Sequence, residues 1–163
     1  MTRAVVSRRR VTPRQVLGVA SLGAVLAFVD ATIVNVAFPD IRADFPDTDL
    51  AGISWVLNAY NIVFAAFIVP AGRIADLLGR KRLFEWGITV FTLASALCAL
   101  APSVELLVAA RVLQALGAAI TVPASLALVL ESYPERERAH GVALWSAAAA
   151  LAAGLGPRSA ASS

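Results

Sequence analysis

The sequence predicts an all-α integral membrane protein with about five transmembrane helices. Hydrophobic residues make up 59% of its 163 positions, charged residues make up only 15%, and the mean hydropathy is +0.76. Soluble domains are only about half apolar. The apolar residues fall in long runs, and a helix that crosses a bilayer needs about 20 of them in succession. Lys and Arg are concentrated between these runs, on alternate loops.

Apolar runs define the predicted helices in chain order. The first four are long enough to span a bilayer, and the fifth, with 17 residues, lies at the lower limit. We predict helices at residues 16–38, 53–75, 83–101, 104–130 and 141–157. No polar low-complexity stretch separates the runs, so residues 16–157 are interpreted as one domain. A basic segment, residues 1–15, precedes this domain, and a polar tail, residues 158–163, follows it.

The positions of the basic residues predict the orientation in the membrane. Five arginines precede the first helix, three basic residues lie between the second and third helices, and two arginines lie between the fourth and fifth. Loop 38–52 has one arginine against four aspartates. Because Lys and Arg accumulate in cytoplasmic loops, we predict a multi-pass protein of the cell membrane with a cytoplasmic N-terminus. The net charge of +3 therefore reflects topology, and no nucleic-acid partner is expected.

A secretory signal is the alternative for the N-terminal region, because arginines followed by an apolar run are typical of one. The run is longer than a signal core, it contains Asp30, and no small-x-small cleavage site precedes the acidic loop. We therefore interpret it as the first membrane helix.

Catalytic patterns are absent from the sequence. It contains no serine elbow, no metal-spaced cluster and no phosphate-binding glycine loop. The single histidine, His140, stands beside a charged loop and is interpreted as solvated, and the single cysteine, Cys98, is interpreted as a packing residue. We expect neither an enzyme nor a cofactor.

Polar residues on three predicted helices fall at one depth. At 1.5 Å per residue, Asp30 lies about 12 Å below the outer surface, Arg111 about 10 Å, and Asn61 at roughly the same level. Asn58 lies one turn above Asn61, and Gln114 shares a helix face with Arg111. Because each group would be unsatisfied in lipid, we predict a polar cavity between the helices. Asp30 at a helix end near the interface is an alternative, and local backbone bonding is an equal alternative for the asparagines.

The connection between the second and third helices carries a recognisable motif. Residues 71–82, AGRIADLLGRKR, resemble the signature loop of the major facilitator superfamily, glycine-x-leucine-alanine-aspartate, two residues, glycine-arginine-lysine. Leu77 departs from the pattern, where the family often has arginine. The resemblance implies a gating loop whose aspartate faces a helix N-terminus in the opposite half of a transporter. The matching residues are Gly72, Asp76, Gly79, Arg80 and Lys81.

Two helix motifs add to this resemblance. Residues 28–39, FVDATIVNVAFP, resemble the first-helix motif of the fourteen-helix drug:proton antiporter branch, and the resemblance implies that Asp30 takes part in proton coupling. The segment RVLQALGAA, which begins at Arg111, resembles the fourth-helix motif, arginine-x-x-glutamine-glycine. Ala115 replaces the usual glycine and, with Ala119, forms a small-xxx-small pair that lets helices approach closely.

The fifth predicted helix resembles the antiporter-specific motif, glycine-x-x-x-glycine-proline. It contains Gly156 and Pro157, and Ala152 replaces the first glycine. After Pro157 the chain is polar where the helix should continue, so we expect a truncated or frame-shifted end.

Together these resemblances imply a partial N-terminal six-helix half of a major facilitator fold. They imply efflux of apolar or cationic small molecules by alternating access, driven by a proton gradient through Asp30 and Arg111. Asn58, Asn61 and Gln114 are the predicted cavity residues. The implied partners are the lipid bilayer, the substrate and a missing C-terminal half. The alternative is a membrane fragment that does not transport, or a small helical interaction protein.

Overall fold

The computed structural model describes residues 12–155, and nearly all of them are helical. The helices are α1 (Pro13–Val36), α2 (Phe38–Asp44), α3 (Leu50–Leu78), α4 (Arg80–Ala99), α5 (Val104–Ser132) and α6 (Arg138–Leu155), with a 3-10 turn at Glu135–Glu137. No strand occurs within this part of the chain. The predicted all-α fold is confirmed.

Four of the helices, α1, α3, α4 and α5, are long and apolar enough to cross a membrane. Among the described residues, α6 is a helix of 18 residues that does not reach this measure. It corresponds to the fifth predicted segment. The motif residues Gly156 and Pro157 lie outside the described residues.

Helices α1, α3, α4 and α6 each begin three residues before their predicted start. In α1, α4 and α6 the first turn carries charged residues, and hydropathy marks only the apolar run that follows it. Thr12 caps α1, accepting from the Gln15 backbone N–H, and the Gln15 side chain bonds back to the Thr12 backbone N–H. Asp49 caps α3 with a single bond, in which its side chain accepts from the Gly52 backbone N–H. In contrast, α5 begins as predicted, because its cap, Ser103, directly precedes the apolar run.

Two connections differ from the prediction. The expected basic loop at residues 71–82 is reduced to Gly79, whose φ of 95° is one that only glycine adopts without strain. Asp76 therefore lies in the last turn of α3, while Arg80 and Lys81 lie in the first turn of α4. Loop 38–52 contains the short helix α2, which is too brief to give a periodic hydrophobic signal.

Helix α5 occupies the centre and contacts α1, α3, α4 and α6. Small residues permit its close crossing with α4. A Cβ atom at Gly117 would lie 2.5 Å from the Phe91 backbone nitrogen, and one at Gly87 would lie 2.6 Å from Thr121 Oγ1. Ala115 and Ala119 are both fully buried, as the small-residue spacing predicts.

The long helices alternate in direction, so the chain connections gather at two ends. One end combines the start of α1 with the α3–α4 and α5–α6 connections, and Val16, Leu78 and Leu128 line a common groove there. We call it the basic end, because Arg14, Arg80 and Arg138 lie there. At the opposite end, Val34 and Val104 pack in one cluster with residues from α2, α3 and α4.

Candidate functional site

Asp30 on α1 and Arg111 on α5 form a buried ion pair. Arg111 Nη1 donates to Asp30 Oδ2 at 2.6 Å, and the two side chains are 3% and 16% exposed for Arg111 and Asp30 respectively. The contact confirms the common depth predicted for the two residues. It also excludes the alternative of Asp30 at a helix end, since α1 continues to Val36. Pairing offsets the high cost of placing either charge inside the protein.

Gln114 closes a triangle with this pair. Its Nε2 donates to Asp30 Oδ1 at 2.7 Å, while its Oε1 accepts from Arg111 Nη1 at 2.7 Å. Both carboxylate oxygens of Asp30 therefore have a donor. Gln114 is 1% exposed, and both ends of its amide bond to the ion pair. Its role as a cavity residue stays a prediction.

Tyr60 brings α3 into the cluster. Arg111 Cζ lies 4.2 Å from the centroid of the Tyr60 ring, which places the guanidinium over an aromatic face that attracts cations. The Tyr60 hydroxyl donates to the Ala27 carbonyl on α1 at 3.5 Å. Tyr60 was not among the residues predicted for this site. The available signal was its position one residue before Asn61, at the same depth as the buried arginine.

Two hydrogen-bond donors at the edge of the cluster have a long hydrogen bond or none. The Cys98 thiol on α4 donates to Gln114 Oε1 at 3.5 Å, so this cysteine does more than fill space. Arg111 Nε is buried and finds no acceptor among residues 12–155. The cluster thus joins α1, α3, α4 and α5 and leaves one donor of its only cation unused.

Asn58 and Asn61 do not join this cluster. Both lie on the exposed part of α3, whereas the intervening Tyr60 is buried. Their proposed role as cavity residues stays a prediction. The difference arises because neighbouring residues on a helix point in directions about 100° apart, even where their depth is the same.

The motif at the basic end is held by Arg80. Its Nε and Nη2 donate to Asp76 Oδ1 at 3.2 and 3.0 Å, and its Nη1 donates to the Ala127 carbonyl at 3.3 Å. Glu131 Oε2 lies 3.8 Å from the same Nη1. Arg80 therefore ties the α3–α4 connection to α5. Glu131 was not predicted as part of this site.

The other motif residues are more loosely placed. Lys81 pairs with Glu85 at 3.7 Å along the surface of α4, and most of the Asp76 side chain is exposed. Gly72 lies on α3 beside Pro123, where a Cβ atom would find ordinary contact at 3.7 Å. Gly79 supplies the turn between the helices.

Four helices long and apolar enough to cross a membrane are arranged around a buried ion pair, which indicates a multi-pass membrane protein with a functional polar site. Residues 20–162 match the Major Facilitator Superfamily, and the chain belongs to that family. The predicted family is confirmed, and with it the fold class of a partial major facilitator half.

Its relatives include resistance and efflux proteins. The chain is 45% identical over 136 residues to the methylenomycin A resistance protein of Streptomyces coelicolor, covering 83% of this chain and 28% of that protein. It is 44% identical over 137 residues to the multidrug resistance protein Stp of Mycobacterium tuberculosis, covering 83% and 25%. It is 38% identical over 149 residues to the drug efflux pump JefA of the same species, covering 90% and 29%. The chain thus spans less than a third of the length of these relatives.

Proposed function

We propose that this chain supplies the N-terminal helices of a proton-coupled exporter of apolar or cationic small molecules. The observation that carries the proposal is the buried triangle of Asp30, Arg111 and Gln114 inside the helix bundle. Charged side chains inside a membrane protein cost free energy, and they usually have a function there. The names of the relatives, a multidrug resistance protein and a drug efflux pump, support export as this function.

In the proposed mechanism, proton uptake by Asp30 weakens the attraction between α1 and α5. The charged carboxylate accepts from Arg111 and Gln114, and neutralising it removes the Coulombic part of the ion pair. Arg111 then stays charged and buried, and its Nε has no acceptor among residues 12–155. A different arrangement of the two helices, in which the guanidinium finds other acceptors, becomes favourable. This link makes a proton gradient able to drive helix movement.

The proposed substrate path runs between this half and a C-terminal half. Alternating access requires two halves that rock about a site near the middle of the membrane. Asn58 and Asn61, exposed on α3 within two residues of Tyr60, are the proposed polar contacts for a substrate. Asp30 retains a small exposed fraction and is the proposed attraction for a cationic one.

The proposed gate lies at the basic end, on the cytoplasmic side of the cell membrane. Arg80 fixes the α3–α4 connection to α5 and binds Oδ1 of Asp76. The Asp76 carboxylate is still largely exposed, and in this proposal it faces the N-terminus of a helix in the other half. Gly72, Gly79 and Lys81 complete the motif. A cytoplasmic N-terminus follows in this proposal because the basic residues gather at that end.

A chimera tests this proposal. The segment of JefA that matches this chain is replaced by the corresponding residues of this chain, and efflux of a cationic dye is measured in everted vesicles with an imposed proton gradient. We expect efflux that stops when an ionophore collapses the gradient, and no dye movement by the 163-residue chain alone in liposomes. Efflux that survives the collapse of the gradient would refute proton coupling, and a correctly inserted but inactive chimera would refute the transport role.

A further inference from the structure

We propose that the exposed face of α4 binds an anionic phospholipid, whose phosphate is held by Arg82 beside the indole of Trp86. Neither residue takes part in the proposed transport mechanism. The inference requires only that α4, which is long and apolar enough to do so, crosses the membrane. It therefore does not depend on proton coupling or on export.

Among residues 12–155, one face of α4 stays uncovered along the length of the helix. Trp86, Leu93, Leu97 and Leu100 recur on this face at helical spacing, and each is more than half exposed. The opposite face is buried, and Gly87 lies there against α5. Acyl chains are the surroundings that suit a row of exposed leucines on a membrane helix.

Trp86 stands where this face passes from charged to apolar residues. It lies six residues, about 9 Å, from the start of α4, between Arg82 and Leu93. Indoles concentrate at membrane–water interfaces, because the ring is apolar and its N–H donates one hydrogen bond. This position places Trp86 at the level of the lipid headgroups, at the basic end of the bundle.

Arg82 precedes Trp86 by one helical turn and shares its face. It lies where two surface grooves meet. One groove, of about 220 Å³, is lined by Arg82, Glu85, Trp86 and Thr89, and the other, of about 530 Å³, lies between α1, α4 and α5. A headgroup bound at Arg82 would therefore have space on both sides of the guanidinium.

The acidic side chains around these grooves already pair with the other two cations. Asp76 and Glu131 lie 3.0 and 3.8 Å from nitrogens of Arg80, and Glu85 lies 3.7 Å from Lys81. Within residues 12–155, the guanidinium that lines both grooves has no carboxylate partner.

A lipid phosphate supplies the charge that this guanidinium lacks. Its two free oxygens match the planar fork of an arginine. In phosphatidylglycerol the phosphate carries the only charge of the lipid. Phosphatidylcholine also brings a cation, which meets only carboxylates that Arg80 and Lys81 already bind. The observations therefore favour an anionic phospholipid over a zwitterionic one.

Brominated lipids test this assignment, because bromine quenches the fluorescence of a tryptophan that it contacts. The full chain is placed in phosphatidylcholine vesicles with a small share of brominated phosphatidylglycerol or, in the matched sample, brominated phosphatidylcholine. We expect phosphatidylglycerol to associate about fivefold more strongly, the gain for one cation at an anionic headgroup. Trp86→Phe should abolish the difference, because Trp55 and Trp145 lie on other helices.

Two arginine variants separate a site from general attraction. Arg82→Gln removes one charge and keeps all three tryptophans, and the two lipids should then associate equally. Arg73→Gln, the matched control, removes an exposed arginine at the same end of the neighbouring helix α3 and should keep the fivefold preference. Both side chains are exposed, so both variants should fold as the unsubstituted chain does.

Equal association of the two lipids with the unsubstituted chain would overturn the inference. An equal loss of preference in Arg73→Gln would also overturn it, because net charge alone would then attract the lipid. If brominated lipids do not quench Trp86 at all, another protein surface covers this face and a lipid is the wrong occupant. None of these results bears on the proposed export, which the chimera tests separately.

Discussion

The guanidinium carbon of Arg111 lies 4.2 Å from the ring centroid of Tyr60, so α3 supports the ion pair that joins α1 to α5. The ring contacts the face of the guanidinium, while the carboxylate and the amide bind its edge. Three helices thereby hold one arginine. The arrangement explains how a permanently charged side chain can be 3% exposed in a bundle of apolar helices.

Removing the Tyr60 ring should destabilise the bundle. Tyr60→Leu loses the cation–π contact of a desolvated arginine, worth about 2 kcal/mol. The free energy of unfolding, measured by denaturant titration in mixed micelles, should fall by at least that amount. Tyr60→Phe keeps the ring and loses only the long hydrogen bond to Ala27, so its loss should be much smaller. Equal losses for the two variants would show that the ring face contributes nothing.

Breaking the ion pair from the arginine side should cost more. Arg111→Met leaves a buried carboxylate without its counter-ion, and truncating one member of a buried pair costs about 3–5 kcal/mol. Adding Asp30→Asn should recover part of this loss, because it removes the uncompensated charge. The free energy of unfolding of Arg111→Lys should lie between those of the unsubstituted chain and Arg111→Met. Lysine keeps the positive charge, but its ammonium cannot stack on Tyr60 as a planar guanidinium does.

The control for the arginine series is Arg73→Met, which removes an exposed arginine from α3. It should leave the free energy of unfolding nearly unchanged. If the loss of stability in the double variant equalled or exceeded the sum of the losses in the two single variants, the two side chains would not act as a pair.

The crossing of α4 and α5 predicts a contrast between two glycines. Gly117→Ala would bring a Cβ atom within 2.5 Å of the Phe91 backbone nitrogen, and the helices must separate to admit it. Overpacking of this kind costs about 1–3 kcal/mol. Gly18→Ala, within α1 and with open space around the added atom, should instead stabilise the protein by up to about 1 kcal/mol. A neutral Gly117→Ala variant would contradict the close crossing.

The ion pair was predictable from the sequence because it depends on depth, and depth follows from counting residues along apolar helices. The identity of the α3 partner depends on rotation about the helix axis. Hydrophobic periodicity does not reveal that rotation, because lipid and protein interior are both apolar. Asn58, Tyr60 and Asn61 therefore look equivalent in sequence, although the structure buries only Tyr60.

The hydrogen bonds of Gln114 and the geometry of the basic end could not be predicted for a related reason. Gln114 shares a helix face with Arg111, which is compatible with lining a cavity or with supporting its neighbour, and only the position of α1 decides between them. At the basic end, charged residues mark a boundary of hydropathy but do not end a helix. Helix α3 ends at Gly79, and a hydropathy profile does not reveal the end of a helix at a single glycine.

Cysteine labelling in intact cells tests the proposed orientation. In a Cys98→Ser background, a cysteine at Thr48, in the connection between α2 and α3, should react with a membrane-impermeant maleimide, whereas one at Arg82, near the start of α4, should react only after permeabilisation. The reason is that basic residues stay in the cytoplasm. The reverse pattern would invert the topology.

Proton counter-transport by the chimera tests the central claim, that Asp30 couples proton movement to export. Proton flux into chimera-containing vesicles is recorded as a substrate gradient is imposed, and substrate binding is measured in parallel. Asp30→Asn should abolish the proton flux and leave binding measurable, because the amide keeps the size of the carboxylate and cannot titrate. The matched control Glu85→Gln, at an exposed carboxylate on α4, should keep both. Undiminished proton flux in Asp30→Asn would contradict the account.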